Sequence, residues 1–372
     1  MKLIRYLLFV FFVVLWCSEV VAQKTNINGY HFTLEKLLKT TTVKDQQQSS
    51  TCWSFATISF IETELIRMGK GEFDLSEMFI VHNTYPRKAE QFIRMQGYNF
   101  FTPGGQAHDV MTTIKSFGIM PENIFSGLLE NKTYHDHTTL DKILKTIVDS
   151  TANKKRGEVS PRWLPSINKT LDSCLGEVPK YFKYQGENYT SLSFMNMLQF
   201  NPDDYIEITS YTHHPYNTLF VLEDKFNWAS AAYYNVCLTD FMTIIDSVIN
   251  KGFSIVWDGD VSEVEYFANI GIAVVPLKSM ENKPSEKPEK EKIITETIRQ
   301  AAFDDHSTTV DHLMHIVGKA KDQNGTTYYI VKNSWGNAVN DGFVYLSKSY
   351  IELKTIAIMI NKHAIPKSIW KI

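Results

Sequence analysis

Cysteine is scarce, with four in 372 residues. That is too few for the disulfide framework on which small exported domains without a core depend. Charge of one sign is not in excess either. Lysine and arginine number 38 against 41 aspartates and glutamates, a net charge of −3, which argues against nucleic acid as a partner. The longest apolar run, Tyr6 to Trp16, holds eleven residues, whereas a membrane-spanning helix needs about 20. Internal repeats are absent. "YHDH" (His135, His137) and "THHP" (His213, His214) each lack a third ligand at a recognisable spacing, so no metal site is expected.

What the N-terminus does have is a leader pattern. Lys2 and Arg5 precede the apolar run, and a short polar stretch ends at Val20-Val21-Ala22. A charged start, a short apolar segment and a small residue before the cut mark a secretory signal peptide over 1–22. Cleavage is expected after Ala22, with an uncleaved anchor as the alternative. The location is therefore expected to be exported, periplasmic or secreted, with no membrane attachment after cleavage. Bulky Trp16 before Cys17 disfavours lipid modification there. Removing Lys2, Arg5 and Glu19 leaves 36 basic against 40 acidic residues, net −4. Cys52, Cys174 and Cys237 remain, and the odd count points to one thiol kept free. Cys174 and Cys237 could pair, or be two separate buried thiols.

The mature chain is long enough for one elaborated domain or two lobes. From Cys52, apolar residues recur at helical spacing through Ile66 until Gly69 stops them. A second helix is expected over Ala107–Phe117, opened by Pro103-Gly104-Gly105. A third, over Leu238–Lys251, leads into a strand over Phe253–Trp257. Residues 150–205 read as a polar, aromatic and irregular insertion, and 281–292 as a solvated charged loop. After residue 310, "HLMHIVGKA" and "TTYYIVKNSW" read as strands joined by a turn with Asn324-Gly325. The class is α+β: a helical lobe over about 40–150, the insertion, and a β-rich lobe over about 205–365. The sequons at Asn131, Asn168, Asn188 and Asn324 matter only in a glycosylating host.

Cys52 falls on the first turn of its helix, where unpaired N–H groups and the helix dipole favour a thiolate. A cysteine nucleophile also needs a base and a group to orient it. A four-residue turn at Asp322–Gly325 sets Asn333 opposite Met314, on the same sheet face as His312. His315 then points to the other face as a packed strand residue. Alternation alone does not say which face looks at Cys52.

"QQQSSTCW" (46–53), "PGGQAHDV" (103–110), "DHLMHIVG" (311–318) and "VKNSWG" (331–336) follow the order and spacing of the papain-like cysteine peptidases. With "WDGDV" (257–261), they look most like the bleomycin hydrolase/aminopeptidase C branch. The resemblance runs from about residue 41 to about 366 and is weakest over 150–205. It implies a two-lobed fold, a helical lobe carrying Cys52 and an antiparallel β-barrel-like lobe carrying His312 and Asn333. It implies Cys52 as nucleophile, His312 as base, Asn333 as its orienter and Gln46 as oxyanion donor. Trp335 would cover the His–Asn pair, and Gly104 and Gly105 would meet the substrate backbone. His108, beside that turn, would line the cleft or pack its helix. No cofactor or metal is implied; substrates would be peptides or proteins, and a homo-oligomer is suggested. In that branch a C-terminal arm restricts cleavage to peptide N-termini. This sequence ends at "HAIPKSIWKI", so the arm is expected to be missing, and endopeptidase action stands beside aminopeptidase action. The 29 residues between Ala22 and Cys52 are too few for a long inhibitory propeptide. Two other readings are a transglutaminase-like acyltransferase, against which Asn333 counts because those enzymes carry Asp there, and a catalytically silent peptide-binding homologue.

Overall fold

The computed structural model describes residues 24–371 except 131, 156 and 279–285. The expected leader over 1–22, and much of the charged loop, lie outside the described residues. Among the described residues six helices lie before Gln199: α1 (Cys52–Arg67), α2 (Glu77–Arg94), α3 (Ala107–Phe117), α4 (Thr138–Ala152), α5 (Trp163–Leu175) and α6 (Ser191–Leu198). Three more sit among the strands: α7 (Leu238–Asn250), α8 (Glu296–Asp304) and α9 (Lys348–Lys354). The strands begin with β1 (Lys24–Ile27), β2 (Tyr30–Leu37), and the small hairpin β3 (Phe182–Tyr184) and β4 (Glu187–Tyr189). Then come β5 (Tyr205–Thr209), β6 (Thr218–Val221), β7 (Ala232–Asn235), β8 (Ile255–Gly259), β9 (Tyr266–Phe267) and β10 (Ile272–Ala273). The last four are β11 (His312–Lys321), β12 (Thr327–Lys332), β13 (Phe343–Ser347) and β14 (Thr355–Asn361).

Local chemistry sets the helix ends. α1 starts after Thr51, whose carbonyl accepts from the Ser54 and Phe55 amides, and ends where Gly69 takes φ +73°. α2 is capped by Ser76, whose hydroxyl accepts from the Phe79 amide at 2.9 Å. α3 opens on a capping box in which Asp109 accepts from the Gln106 amide at 2.9 Å. Trp53, Phe60, Ile61 and Leu65 of α1 are at most 1% exposed, each burial contributing about 1.5–3 kcal/mol.

Residues 150–205 differ from the irregular insertion expected. They carry α5, the β3–β4 hairpin and α6, and Ile167, Leu171, Phe182, Phe194 and Leu198 join the same core as α1. Their helical period was hidden because only three positions of α5 are buried, leaving a mostly polar helix.

The large sheet runs β6-β7-β5-β14-β8-β11-β12-β13-β10-β9, with β2 alongside β11 and β1 on β2. The pairs β5/β7 and β10/β13 are parallel, the others antiparallel. The sheet does not close into a barrel. On one face Val256, Leu313 and Met359 enter the helical core; on the other Trp257, Met314 and Ile316 form the sheet's own core with α7. α1 therefore lies directly over β8 and β11. No described helix is long and apolar enough to cross a membrane.

Candidate active site

Cys52 is the first residue of α1. The backbone N–H groups of Leu313 on β11 and of Trp53 lie near its sulfur and favour the thiolate. The helix start thus meets the sheet one residue from His312. Burial pushes the thiol up to about 12, against those two N–H groups, with Asp258 and Asp311 adding to the rise. The lowered thiol expected at the helix start is not found: the N–H groups there favour the thiolate, but desolvation outweighs them.

His312 is 4% exposed and its Nε2 meets Asn333 Oδ1 at 2.8 Å. The Ser334 amide donates to the same oxygen at 2.7 Å. Two donors on one atom fix which end of the Asn333 amide faces the ring. The oxygen can only accept, so Nε2 carries the proton and Nδ1 keeps the lone pair. Burial pushes His312 down to about 4, with the Asn333 contact opposing. Trp335 stacks on the imidazole at 4.6 Å and 28°, itself 44% exposed.

The register behind this contact arises differently from the expected four-residue turn. The loop is one residue longer: Asp322 N–H donates to Thr326 O, and Lys321 pairs with Thr327. A bulge between Ile316 and Gly318 takes the extra residue back, so His315 pairs with Lys332. The ladder ends there; continued by one step, its register would set Met314 opposite Asn333, as the shorter turn also gives.

Gln46 is 8% exposed. Its Oε1 accepts from Ser334 Oγ at 2.7 Å, and its backbone amide donates to Ser334 O at 2.8 Å. The residue after Asn333 therefore anchors it, and Nε2 is the end left to donate elsewhere. Gly104 and Gly105 have a packing reason. A Cβ at Gly104 would stand 2.4 Å from the Phe226 ring, and one at Gly105 3.0 Å from Trp53. Trp53 Nε1 also donates to Pro103 O at 2.9 Å, tying the turn to α1.

His315 lies on the opposite face from His312, bonded to Ser59 Oγ through Nδ1 at 3.0 Å and packed on Phe60. His108 meets Glu207 Oε2 through Nδ1 at 2.7 Å. Burial opposes its charge, but Glu207 and Asp109 raise it to about 9. Cys174 and Cys237 are both free, so they do not pair. His135 and His137 are buried neighbours, while His213 and His214 both meet Glu223, at 3.0 and 2.8 Å. Glu223 is the third donor that the spacing did not reveal.

Sequence reasoning also missed a buried ionic group behind the site. Lys44 Nζ donates to Glu77 at 2.9 Å and to Leu75 O, and Glu62 accepts from the Leu75 amide at 2.8 Å. Lys332, next to Asn333, donates to Thr41 O at 2.9 Å, and burial pushes it down to about 8. Such pairs join residues up to 291 positions apart, beyond any local signal.

The model of the Peptidase C1-like family matches residues 17–372. The chain is similar to Aminopeptidase C of Listeria monocytogenes, 22% identical over 374 residues, covering 88% of this chain and 81% of that protein. It is similar to Aminopeptidase G of Lactobacillus delbrueckii subsp. lactis, 22% identical, covering 89% and 83%. The fold is similar to that of PepW from Lactobacillus rhamnosis, with a TM-score of 0.71 at 18% identity, covering 91% and 83%.

Proposed function

Because this chain belongs to the Peptidase C1-like family and is a cysteine-type peptidase, we propose that it acts as an aminopeptidase-like hydrolase through Cys52, His312, Asn333 and Gln46. The observation carrying this reading is the His312–Asn333 contact at 2.8 Å, one residue from the Leu313 amide that faces the Cys52 thiol. Two of the similar proteins are named Aminopeptidase C and Aminopeptidase G, which supports the exopeptidase side.

Cys52 attacks the scissile carbonyl as its proton passes to His312 Nδ1, the ring nitrogen left with a lone pair. Burial raises the Cys52 thiol and lowers His312, so charge separation between them is favoured by the N–H groups at the helix start and by Asn333. The developing oxyanion is met by Gln46 Nε2 and the Cys52 amide, which as the first amide of a helix has no intrahelical acceptor. One such donor is typically worth about 10²–10³ in rate. The imidazolium then protonates the leaving amine as the C–N bond breaks. Water, deprotonated by Nδ1, releases the acyl group and restores the thiol.

Labelling by an epoxysuccinyl inhibitor tests the nucleophile: no adduct on Cys52 of the folded, reduced protein sinks the reading. Matched peptides with free and blocked N-termini test the site of cleavage, and equal turnover of both refutes the aminopeptidase part. We propose export as well, on the leader pattern of 1–22. Protein recovered outside the cytoplasm should begin at Gln23, and recovery only of chains beginning at Met1 refutes it.

A further inference from the structure

The connection between β5 and β6 carries "THHP", two adjacent histidines that the proposed reaction does not use. Both rings turn the same nitrogen to one carboxylate. His213 Nε2 stands 3.0 Å from Glu223 Oε2, and His214 Nε2 stands 2.8 Å from Glu223 Oε1. One ligand atom from each of the three residues lies within 4.8 Å of the other two. Histidine nitrogens sit about 2.0–2.1 Å and carboxylate oxygens about 2.0–2.2 Å from zinc, so ligands of a tetrahedral ion are about 3.3 Å apart. Small side-chain movements bring the three donors to that spacing.

The histidines are held in place by the fold itself. Asn235, fully buried on β7, accepts from the Tyr211 amide at 3.0 Å and donates to His214 O at 2.9 Å, which fixes the backbone on both sides of His213. Phe303 of α8 stacks on the His213 ring at 5.6 Å, and Phe220 of β6 on the His214 ring at 4.2 Å. Behind His213, Gln300 of α8 presents both ends of its amide to Nδ1, Nε2 at 3.1 Å and Oε1 at 3.4 Å. The Thr212 amide donates to that Oε1 at 2.6 Å, and Asp304 accepts from that Nε2 at 2.8 Å, so the orientation of the amide is set. Metal-ligating histidines almost always have such a partner on their other nitrogen, which fixes ring and tautomer.

One amide serves the site with and without an ion. Without it, both Nε2 atoms carry protons, because the carboxylate only accepts, and Gln300 Nε2 donates to His213 Nδ1. With it, His213 Nε2 gives its lone pair to the metal, and the ring proton sits on Nδ1 facing Gln300 Oε1. The donors are open to solvent: the Glu223 side chain is 57% exposed and borders a groove on the surface. Lys225, which lines the same groove, stands over the Phe100 and Phe226 rings at 5.9 and 5.3 Å.

We propose that His213, His214 and Glu223 bind one divalent ion of the zinc class, with water in the fourth position. Mixed imidazole and carboxylate donors suit Zn²⁺ and also take Ni²⁺ or Cu²⁺, whereas Ca²⁺ and Mg²⁺ favour all-oxygen sites. The histidines precede β6 and Glu223 follows it, and β6 is the edge strand of the large sheet. The ion therefore ties the two ends of an edge strand together. This role is independent of the peptidase reading.

Zinc chloride alone is titrated by calorimetry into the untagged, metal-stripped full chain and into its Cys52→Ala, His214→Ala, Glu223→Ala and Gln300→Leu forms. The expected result is one ion per chain, with an affinity that Cys52→Ala leaves unchanged, since that variant removes the competing thiol. Gln300→Leu should weaken binding about 10- to 100-fold, the usual cost of an outer partner, and loss of either ligand at least as much. The thermal midpoint should rise with zinc in the parent chain, and the rise should vanish in His214→Ala. Binding lost in Cys52→Ala, or kept in both His214→Ala and Glu223→Ala, overturns the site. If a variant does not fold, a zinc-soaked crystal of the parent chain decides: an anomalous peak at the zinc edge among the three side chains supports the site, and its absence overturns it.

Discussion

Replacing Asn333 by alanine removes the acceptor of His312 Nε2 while leaving Trp335 stacked on the ring. A buried N–H that loses its partner costs about 1–3 kcal/mol. His312 is 4% exposed, so water does not readily replace the amide. The cost grows once the ring is protonated during attack, because the lost bond is then charge-assisted. If it falls on the transition state alone, kcat/KM drops about 5- to 150-fold. Asn333→Asp keeps the acceptor and places a negative charge on the imidazole. It should recover most of the loss and move the acid limb of kcat/KM upward from about 4. The assay is the pH dependence of kcat/KM for a free-amine peptide in the three proteins, with thermal midpoints as a control, since Ser334 N–H also uses Asn333 Oδ1. Equal losses in the alanine and aspartate variants, or no loss in either, would refute the role of this contact.

Three further outcomes follow from the electrostatics. With the thiol pushed up to about 12, alkylation of Cys52 by iodoacetamide should quicken steadily from pH 6 to pH 10; a flat rate would mean that a thiolate is already present. Lys44→Met leaves Glu77 and Glu62 buried without their cation, a loss of about 3–5 kcal/mol by denaturant unfolding, and a loss below 1 kcal/mol contradicts it. His108 is raised from 6.5 to about 9 when folded, mainly by Glu207 working against burial. Its contribution, of order 3 kcal/mol, is complete below pH 6.5 and disappears as pH rises through 9. Thermal midpoints should fall over that window and stay level in Glu207→Gln.

The parts of the molecule legible in the sequence are those whose determinants are local. α3 spans the expected Ala107–Phe117, and α7 ends one residue before the expected Lys251, because caps and apolar period both lie within a few positions. The strand expected at Phe253–Trp257 is observed at Ile255–Gly259; its apolar run points to a strand but not to which residues reach the ladder. The His312–Asn333 contact was legible through two errors that cancel, a turn one residue too short and an unseen bulge at Val317. Hairpin folding preserves parity whenever such slips come in pairs. Illegible were the open sheet, the packed 150–205 segment and the Lys44 and Asp258 groups. Gln106 before α3, Glu207 on β5, Asp224 in the loop after β6 and Asp258 on β8 are far apart in the chain, and only the packing of α3 on the sheet brings them together.

The resting charge of the site bears on how it is held in the fold. A buried thiolate–imidazolium pair would carry two desolvation penalties in the ground state, and their mutual attraction offsets these only with full hydrogen bonding. Here the described partners are fewer: the thiol has the Leu313 and Trp53 amides, and the imidazole has one side of Asn333. A neutral pair avoids most of that cost. The N–H groups at the helix start then act chiefly on charge that appears during reaction, on sulfur and on the carbonyl oxygen. Interactions stronger in the transition state than in the resting state are the ones that raise kcat.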